Sequence, residues 1–334
     1  MVDEGSKSNR LPPLPDLDWR DDGVPRALES DDVYFSVSDG LSETREVFFK
    51  GCGLPERWAE REDYTIGELG FGTGLNIVAL LRLWIAHRPS STARLHIASF
   101  EGRFMPREAA EQALKAWPEL ASEAEKLLRA WPVRARGVQT MSLGDGVTLT
   151  LFQDDIEPAL QEANLLADAW FLDGFSPAKN PAMWTDDVLA HVGRLSAPGA
   201  LVGTYTVAGH VRRGLKAAGF DVSKRPGFGR KRDRLEAIYN SEVKQAHRPP
   251  QSVIIVGAGI MGACLARAFK TAGVEPIVID KADDLTQGAS ANPLGLVMPR
   301  LDASDTPIAR LLLDAYLFAR KFYGQFGDAC FPVD

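Results

Sequence analysis

The sequence predicts an α/β fold with doubly wound, mostly parallel sheets. Short β-prone runs alternate with helix-like stretches between residues 64 and 239. A glycine-rich turn at residues 68–76 joins the first of these strands to a helix, and a second glycine-rich turn, at residues 257–262, repeats this arrangement later in the chain. Because such turns open nucleotide-binding βαβ units, the sequence predicts two ligand-binding regions on one chain.

The first region is expected to begin with a hairpin. Residues 33–37 and 45–49 are β-prone and flank Asp39-Gly40, a strong turn signal. A strand at residues 64–69, the glycine-rich turn and a helix at residues 75–87 come next. The remaining predicted elements are strand 94–100, helix 106–129, strand 148–152, strand 169–172, helix 186–195, strand 200–206, helix 211–218 and a hairpin within 220–239.

A loss of periodicity marks the end of this region. Residues 241–251 contain Pro249-Pro250 and several charges, which predicts a linker between a domain of residues 1–240 and a domain of residues 252–334. A length of 334 residues also favours two domains over one. The second domain is expected to contain strand 252–256, helix 261–272, strand 275–279 and helix 309–326.

The composition is that of a soluble globular protein, with 45% apolar and 25% charged residues. Three widely spaced cysteines argue against a disulfide framework and favour a reducing, cytoplasmic setting. The five histidines show no ligand spacing, so no metal site is expected. The most apolar stretch, residues 252–269, contains three glycines and Arg267, which favours a buried strand followed by a helix over a membrane segment. We therefore expect no membrane partner.

The first glycine-rich turn has the pattern Gly-x-Gly-x-Gly and is preceded by an acid. Glycines let a ligand approach the backbone, and ligands of open α/β sheets bind at the carboxyl ends of the strands. Acids follow the predicted strands there, where they can bind ribose hydroxyls and an amino group. S-adenosylmethionine offers these groups and carries no phosphate, so the pattern predicts an S-adenosylmethionine site, with a purely structural tight turn as the alternative. The predicted site residues are Glu68, Gly70, Gly72, Gly74, Glu101, Asp154 and Asp155.

A polar loop that begins at Asp173 also follows a predicted strand. Amine methyltransferases often place a short loop containing proline here, where it holds the nitrogen in line with the methyl group. Because the donor is already activated, positioning is expected to supply most of the rate enhancement. A carboxylate that accepts the proton adds a factor on the order of 10²–10⁴. We therefore predict that Asp173 is catalytic, with a folding role for this loop as the alternative.

The second glycine-rich turn has the dinucleotide pattern Gly-x-Gly-x-x-Gly after a β-prone run. Asp280 follows the last glycine by eighteen residues, where it can bind an adenosine ribose. The pattern alone does not separate NAD from FAD, and a fold that binds no nucleotide is also open. The small polar loop at residues 288–292 favours a flavin. The residues predicted to hold FAD are Gly257, Gly259, Gly262, Asp280 and Ser290.

The length of the second region limits what it can contain. Only 78 residues remain from Gly257 to the last residue. A complete flavin oxidoreductase needs further strands and a substrate cap, for which this length leaves no room. The second domain is therefore expected to be the first part of an FAD-binding Rossmann domain.

A basic stretch lies between residues 205 and 250. It contains eleven Lys or Arg residues against four acids, although the whole chain has a net charge of −7. Such a local excess predicts a surface that binds a polyanion. A solvated helix face followed by a charged linker explains the composition equally well.

Several segments carry a resemblance to one family. Residues 31–36 read Asp-Asp-Val-Tyr-Phe-Ser, and residues 227–232 read Gly-Phe-Gly-Arg-Lys-Arg. The most specific segment, residues 171–181, reads Phe-Leu-Asp-Gly-Phe-Ser-Pro-Ala-Lys-Asn-Pro. Residues 288–290 and 318–323 continue the match after the linker. By these motifs the chain resembles, over nearly its whole length, the MnmC family of bifunctional tRNA 5-methylaminomethyl-2-thiouridine biosynthesis proteins.

The resemblance implies two reactions on the wobble uridine of tRNA. An FAD domain would remove the carboxymethyl group of 5-carboxymethylaminomethyl-2-thiouridine and leave a primary amine. A Rossmann-like methyltransferase domain would then methylate that amine with S-adenosylmethionine. The basic stretch would meet tRNA phosphates. The residues expected to do so are Arg212, Arg213, Arg230, Lys231 and Arg232.

Two other classes of protein are open from the residues themselves. A two-domain NAD-dependent dehydrogenase of small molecules would use the second turn and leave Glu68, Glu101 and Asp173 without a role. A non-catalytic RNA-binding protein would use the basic stretch alone. In that case, Asp173→Ala would leave the RNA function intact.

Overall fold

The computed structural model describes residues 11–35, 39–229, 232–240, 250–283, 288–292, 294–299 and 306–329. The chain divides into two compact units, Met1–Lys244 together with Arg300–Asp334, and Gln245–Pro299. Residues 36–38 of the predicted hairpin and residues 241–249 of the predicted linker lie outside the described residues. The domain limits at residues 240 and 252 stay a prediction.

A small antiparallel sheet precedes the main fold of the first unit. It consists of β1 (Leu17–Trp19), β2 (Pro25–Ala27) and β3 (Asp32–Val33). The sequence did not predict this sheet, because strands of two or three residues are too short to show a period.

The predicted hairpin at residues 33–37 and 45–49 is wrong. Asp39 begins helix α1 (Gly40–Glu43), because its carboxylate accepts a hydrogen bond from the backbone amide three residues later at 2.9 Å and so caps the helix. The chain continues as a π-helical segment, Thr44–Phe49. Three consecutive side chains of this segment are buried: Val47, Phe48 and Phe49.

The main sheet of the first unit has eight strands. Its central strand β4 (Asp63–Leu69) pairs in parallel with β5 (Arg94–Phe100) on one side and β8 (Ala167–Leu172) on the other. The chain thus runs outward from β4 in both directions, which confirms the predicted doubly wound arrangement. The order is β10-β11-β9-β8-β4-β5-β7-β6, with β6 at Gly137–Gly144, β7 at Val147–Gln153, β9 at Ser196–Thr204, β10 at Phe220–Pro226 and β11 at Asp233–Tyr239.

Helices cover this sheet and create two hydrophobic cores. In β8, Ala169 and Phe171 belong to one core, whereas Trp170 and Leu172 belong to the other. Strands buried on both faces read as nearly continuous apolar runs, as this strand does. The helices are α2 (Leu75–His87), α3 (Arg107–Leu114), α4 (Ala121–Arg129), α5 (Ile156–Glu162), α6 (Asp186–Arg194) and α7 (Gly209–Ala217).

Two stretches of the first unit differ from the prediction. The single helix expected at residues 106–129 is divided into α3 and α4 by a 3-10 turn, Pro118–Leu120. Proline has no N–H to donate and disfavours helical backbone in the residue before it, so a continuous helix cannot pass. Strand β6 was not predicted, since glycine lies at both of its ends and weakens the β signal.

The second unit contains the predicted βαβ element. Strand β12 (Ser252–Val256) and strand β13 (Glu275–Ile279) pair in parallel, and α8 (Ile260–Thr271) connects them. A final helix, α9 (Pro307–Tyr323), confirms the helix expected near residues 309–326. This helix belongs to the first compact unit.

Replacing Gly67 with alanine is expected to destabilise the first unit. A Cβ atom at this position of β4 would lie 2.4 Å from the ring of Trp170, which is fully buried in the adjacent strand. Such overpacking costs about 1–3 kcal/mol in the free energy of unfolding, which chemical denaturation measures. The control is Gly295→Ala, because a Cβ there would meet nothing within 4 Å. Equal stability of the two variants would contradict the packing argument.

Candidate functional site

A large cavity opens at the carboxyl ends of the parallel strands, next to β4. Its volume is about 1260 Å³. Pockets for one small molecule usually measure about 300–1,000 Å³. The cavity lies where successive strands diverge to either side, which is the usual ligand site of doubly wound sheets. It therefore has room for two ligands.

The first glycine-rich turn contributes backbone to this cavity. Gly70 and Gly72 line it, with φ values of +91° and +54°. At Gly70, a Cβ atom would lie 2.1 Å from the carbonyl oxygen of Asp173, so only glycine lets the ends of β4 and β8 meet. Gly74 is not a lining residue, and a Cβ there would lie 2.6 Å from Leu127.

Glu101 follows β5 and lines the cavity beside this turn. Its carboxylate accepts hydrogen bonds from the backbone amides of Gly72, at 3.2 Å, and Arg103, at 2.9 Å. Burial raises the pKa of Glu101, and these amides act in the opposite direction because they stabilise the charged form. The carboxylate is thus fixed in orientation and can accept hydrogen bonds from ligand hydroxyls.

Asp173 follows β8 and lines the same cavity. Its Oδ2 accepts a hydrogen bond from the side-chain amide of Asn76 at 2.7 Å. The hydroxyl of Thr44 donates to Asn76 Oδ1, also at 2.7 Å, which directs the NH₂ group of Asn76 toward Asp173. Asn76 was not among the predicted site residues. Its position in the first turn of α2, at the end of the glycine-rich motif, was the available signal.

Neighbouring segments hold the loop that follows Asp173. The hydroxyl of Tyr205 donates to the carbonyl oxygen of Gly174 at 2.6 Å. The backbone amide of Ser176 donates to the carboxylate of Asp32 at 2.9 Å. Because these partners come from β-strand ends far apart in sequence, the loop depends on the assembled fold for its shape.

Aromatic rings line part of the cavity. The rings of Tyr34 and Phe175 meet edge to face, with centroids 5.1 Å apart. Tyr205 and Phe228 line it as well. Aromatic faces stack on nucleobases with little regard to their hydrogen-bonding pattern. These side chains suit a planar ligand.

Carboxylates dominate the charge of the cavity. Among its described lining residues, seven carry a carboxylate and two carry a guanidinium group. Charge of one sign concentrated in a cleft attracts ligands of the opposite sign. The cavity therefore favours a cationic ligand over a pyrophosphate. The acids are Glu29, Asp32, Glu43, Glu101, Asp155, Glu157 and Asp173, and the bases are Arg20 and Arg103.

Glu68 is buried and is not one of the lining residues. It is 0% exposed, and the hydroxyl of Ser99 donates to its Oε2 at 2.5 Å. Burial raises the pKa of Glu68 to about 8, and the negative charges of Asp173 and Glu101 act in the same direction. Glu68 is therefore mainly protonated at neutral pH, and its direct contact with a ligand stays a prediction.

The two acids after β7 have different partners. Asp155 lines the cavity, whereas Asp154 pairs with Arg136 at 3.0 Å. The carboxylate of Asp154 also accepts a hydrogen bond from the backbone amide of Asp155 at 2.8 Å and so fixes the turn. Of the residues predicted to bind S-adenosylmethionine, the structure brings to the cavity Gly70, Gly72, Glu101 and Asp155.

The second glycine-rich turn is organised by two polar side chains. Asp280 accepts a hydrogen bond from the amide of the turn residue Ala258 at 2.6 Å, which lowers the pKa of Asp280. The Ser290 hydroxyl oxygen accepts one from the Ile260 amide at 3.0 Å, at the N-terminus of α8. At Gly262, a Cβ would lie 1.8 Å from a carbonyl oxygen of the turn, so the packing is tight. The predicted FAD residues thus lie together: Gly257, Gly259, Gly262, Asp280 and Ser290.

The basic stretch contains both exposed and buried residues. Arg212 and Arg213 are exposed on α7, and Arg232 is exposed just before β11. Arg234 is buried and pairs with Glu236 at 2.6 Å, which removes it from any external surface. Two further predicted residues lie outside the described ranges: Arg230 and Lys231.

Within the described ranges, no helix is both long enough and apolar enough to cross a membrane. The same part of the chain contains no group of three or more His, Cys, Asp or Glu side chains arranged to hold a metal ion.

The strand order, the glycine-rich turn and the acid-lined cavity define the first unit as a Rossmann-like methyltransferase fold. A family model of S-adenosyl-L-methionine-dependent methyltransferases matches residues 118–240. A family model of FAD dependent oxidoreductases matches residues 252–332. One chain therefore carries parts of two enzyme families, in the order that the two glycine-rich turns predict.

Whole-chain relatives identify the particular family. The chain is 54% identical over 314 residues to the tRNA 5-methylaminomethyl-2-thiouridine biosynthesis bifunctional protein MnmC of Caulobacter vibrioides. It is 50% identical over 322 residues to the protein of the same name from Maricaulis maris. These alignments cover 94% and 95% of this chain and 52% and 55% of the relatives. The chain belongs to the MnmC family and spans about half the length of the curated relatives it matches.

A solved structure supports the fold. The crystal structure of MNMC2 from Aquifex aeolicus is similar to this chain with a TM-score of 0.52 and 25% sequence identity. The similarity covers 69% of this chain and 72% of that one.

Replacing Glu68 with glutamine is expected to increase the stability of the protein relative to the wild type, by an amount that grows as the pH rises. The pKa of about 8 in the native state exceeds the ordinary value of 4.5, so the native state retains a proton that the unfolded chain releases. The stability that this proton provides is complete below pH 4.5 and is lost as the pH rises toward 8. Glutamine does not titrate, so the stability of Glu68→Gln relative to the wild type should increase across this window.

Urea denaturation at several pH values measures this difference. The matched control is Glu125→Gln, because the side chain of Glu125 is 68% exposed on α4. If the difference in the free energy of unfolding between Glu68→Gln and the wild type does not change with pH, the buried carboxyl of Glu68 is not protonated.

Proposed function

We propose that the first unit methylates a primary amine on a tRNA base, with S-adenosylmethionine as the methyl donor. The substrate is the wobble nucleoside 5-aminomethyl-2-thiouridine and the product is 5-methylaminomethyl-2-thiouridine. The observation that carries the proposal is the acid-lined cavity in which Asp173, Glu101 and the glycine-rich turn meet. The name shared by the relatives, which refers to biosynthesis of this nucleoside in tRNA, supports the substrate class.

The lining residues fit S-adenosylmethionine. Its ribose hydroxyls need a fixed acceptor, and Glu101 is held by two backbone amides. Gly70 and Gly72 leave the backbone of the turn uncovered on the cavity side. The sulfonium and the amino group are cations, which the seven carboxylates attract. A volume of about 1260 Å³ leaves room for a nucleobase beside the cofactor.

The position of Asp173 in the cavity supports a role in amine methylation. S-adenosylmethionine supplies a methyl group already activated on a sulfonium, so its transfer to an amine leaves a neutral thioether and one proton to be released from the nitrogen. Asp173 would accept a hydrogen bond from the amine, direct the nitrogen lone pair and take up that proton. Asn76 keeps the carboxylate in one orientation through the 2.7 Å hydrogen bond. Positioning by this pair would supply most of the barrier reduction.

The base that carries the amine must leave the anticodon stack to reach Asp173. Tyr34, Phe175 and Phe228 offer aromatic faces in the same cavity. Base–aromatic stacking contributes about 1–3 kcal/mol per base, enough to offset much of the unstacking cost. The cavity would thus bind the cofactor and the extruded uridine together.

We propose FAD as the ligand of the second glycine-rich turn. Asp280 would bind ribose hydroxyls, and the N-terminus of α8 would face the pyrophosphate. Flavin chemistry would remove the carboxymethyl group from 5-carboxymethylaminomethyl-2-thiouridine in the complete family member. That reaction would produce the primary amine that the first unit uses.

The geometry does not favour the two other classes of protein. A NAD-dependent dehydrogenase would leave the large cavity without a role, since its acids repel a pyrophosphate. A non-catalytic RNA-binding protein would not need Asp173 oriented by Asn76 inside a cavity of this size.

Methyl transfer to tRNA tests the proposal. Purified chain is incubated with labelled S-adenosylmethionine and tRNA that carries 5-aminomethyl-2-thiouridine. Asp173→Asn is expected to lower kcat by a factor on the order of 10²–10⁴, because it removes proton acceptance. The dissociation constant for S-adenosylmethionine should stay near the wild-type value.

The matched control is Asp187→Asn, which changes an exposed carboxylate on α6. It should methylate at the wild-type rate. Absence of label on the wobble uridine with wild-type protein would overturn the proposed function, and full activity of Asp173→Asn would remove Asp173 from the mechanism.

Charge reversal at Arg212 and Arg213 is expected to weaken tRNA binding. The logarithm of the tRNA association constant falls linearly with the logarithm of the salt concentration. If both guanidinium groups neutralise phosphates, their loss should make this slope less steep by about 1.5. Filter binding at several salt concentrations measures this slope. Reversal of Lys115 and Arg129, exposed on another part of the same unit, is the control. Identical slopes for the two double variants would exclude α7 from the RNA-binding surface.

A further inference from the structure

Helix α9 packs one stripe of its side chains against the rest of the first unit. The stripe consists of Arg310, Asp314, Leu317 and Lys321, whose spacings of four, three and four residues place them on a single helix face. Leu317 is the buried residue of this helix, at 8% exposure. The polar members of the stripe each contact a different part of the methyltransferase fold.

Asp314 contacts the open edge of the main sheet. Among the described residues, β6 is the last strand on its side of the sheet, so its outer backbone amides face no neighbouring strand there. The carboxylate of Asp314 accepts a hydrogen bond from the backbone amide of Val138 at 3.2 Å. At Gly137, a Cβ atom would lie 2.5 Å from the same carboxylate. The close fit shows that the edge strand and the helix share a tight interface.

Lys321 anchors the other end of the stripe. Its ammonium donates to the carbonyl oxygen of Ala130, just after α4, at 3.2 Å. Burial lowers the pKa of Lys321. The helix is therefore fixed at two places, which leaves Arg310 in a defined position.

Arg310 reaches the turn that borders the cavity. Its guanidinium lies 3.8 Å from the carboxylate of Asp154 and 3.7 Å from that of Glu162. Asp154 is only 11% exposed and is also paired with Arg136. Its carboxylate holds the backbone amide of Asp155, which lines the cavity. A continuous series of contacts thus runs from α9 to the cofactor side of the cavity.

We propose that Arg310 is a positioning residue for the methyl-donor site, although it lies within the region that the oxidoreductase family model matches. It balances the charge of Asp154 and so keeps the turn with Asp155 in its binding conformation. This inference rests on the proposed function, because the ligand is S-adenosylmethionine. Part of the methyl-donor site is thereby supported by residues that follow the second glycine-rich turn in the chain.

Isothermal titration of the full chain with S-adenosylmethionine tests this role. Arg310→Gln is expected to raise the dissociation constant about fivefold, because the turn with Asp155 would then occupy its binding conformation only about one fifth of the time. The value of kcat at saturating cofactor, the affinity for tRNA and the thermal midpoint should stay unchanged. A residue that only supported the fold would lower the thermal midpoint and tRNA affinity as well. The matched control is Arg320→Gln, an exposed arginine on the same helix, which should bind as the wild type does.

A double-mutant cycle with Asp154→Asn isolates the contact. If Arg310 acts through Asp154, then Arg310→Gln has no additional effect on cofactor binding in the Asp154→Asn background. The positioning role alone would be overturned if Arg310→Gln left the dissociation constant for S-adenosylmethionine unchanged. It would also be overturned if Arg310→Gln lowered the affinity equally in the wild-type and Asp154→Asn backgrounds. Wild-type protein that binds no S-adenosylmethionine would overturn both this role and the proposed function.

Discussion

The close approach of two parallel strand ends is the constraint on which the site depends. The carbonyl oxygen of Asp173 occupies the space that any side chain at Gly70 would need. Because β4 and β8 meet there, the residue after β8 reaches Asn76 in the first turn of α2. Loss of that contact would separate the proposed catalytic carboxylate from the turn that contributes to the cavity. One glycine thus links the geometry of the sheet to the chemistry of the cavity.

The cavity concentrates negative charge at a cost to the folded state. Seven carboxylates of the described residues line it, and mutual repulsion among them opposes folding. A protonated Glu68 near this group limits the repulsion, because it places a neutral acid where a further charge would face Asp173. The arrangement is consistent with a site that gains binding energy when a cationic ligand enters. Within the protein, Arg103 pairs with Glu29 at 2.7 Å and Lys179 lies 3.8 Å from Asp32, so a cationic ligand would add to a partial neutralisation of the acids.

The sequence predicts most of the sheet and the location of the cavity. Glycines at 70 and 72, and acids at 101 and 173, follow from the rule that ligands bind at strand ends, and the structure brings them together. Asn76 escaped prediction because its role depends on Thr44, a residue that local pattern cannot place beside it. The expected hairpin failed because an aspartate before glycine can cap a helix as well as form a turn. The contacts of α9 with β6 join residues far apart in sequence, which periodicity does not reveal.

Helix α9 also bears on how the chain avoids misassembly. An edge strand with free backbone amides is a template for pairing with another chain, and the carboxylate of Asp314 blocks one of those amides. The helix follows β6 by about 160 residues in the sequence. At synthesis rates of about 5–20 residues per second, the edge would wait on the order of ten seconds before its cover emerges. During that interval, nascent chains on neighbouring ribosomes of one mRNA would be most prone to aggregate through β6.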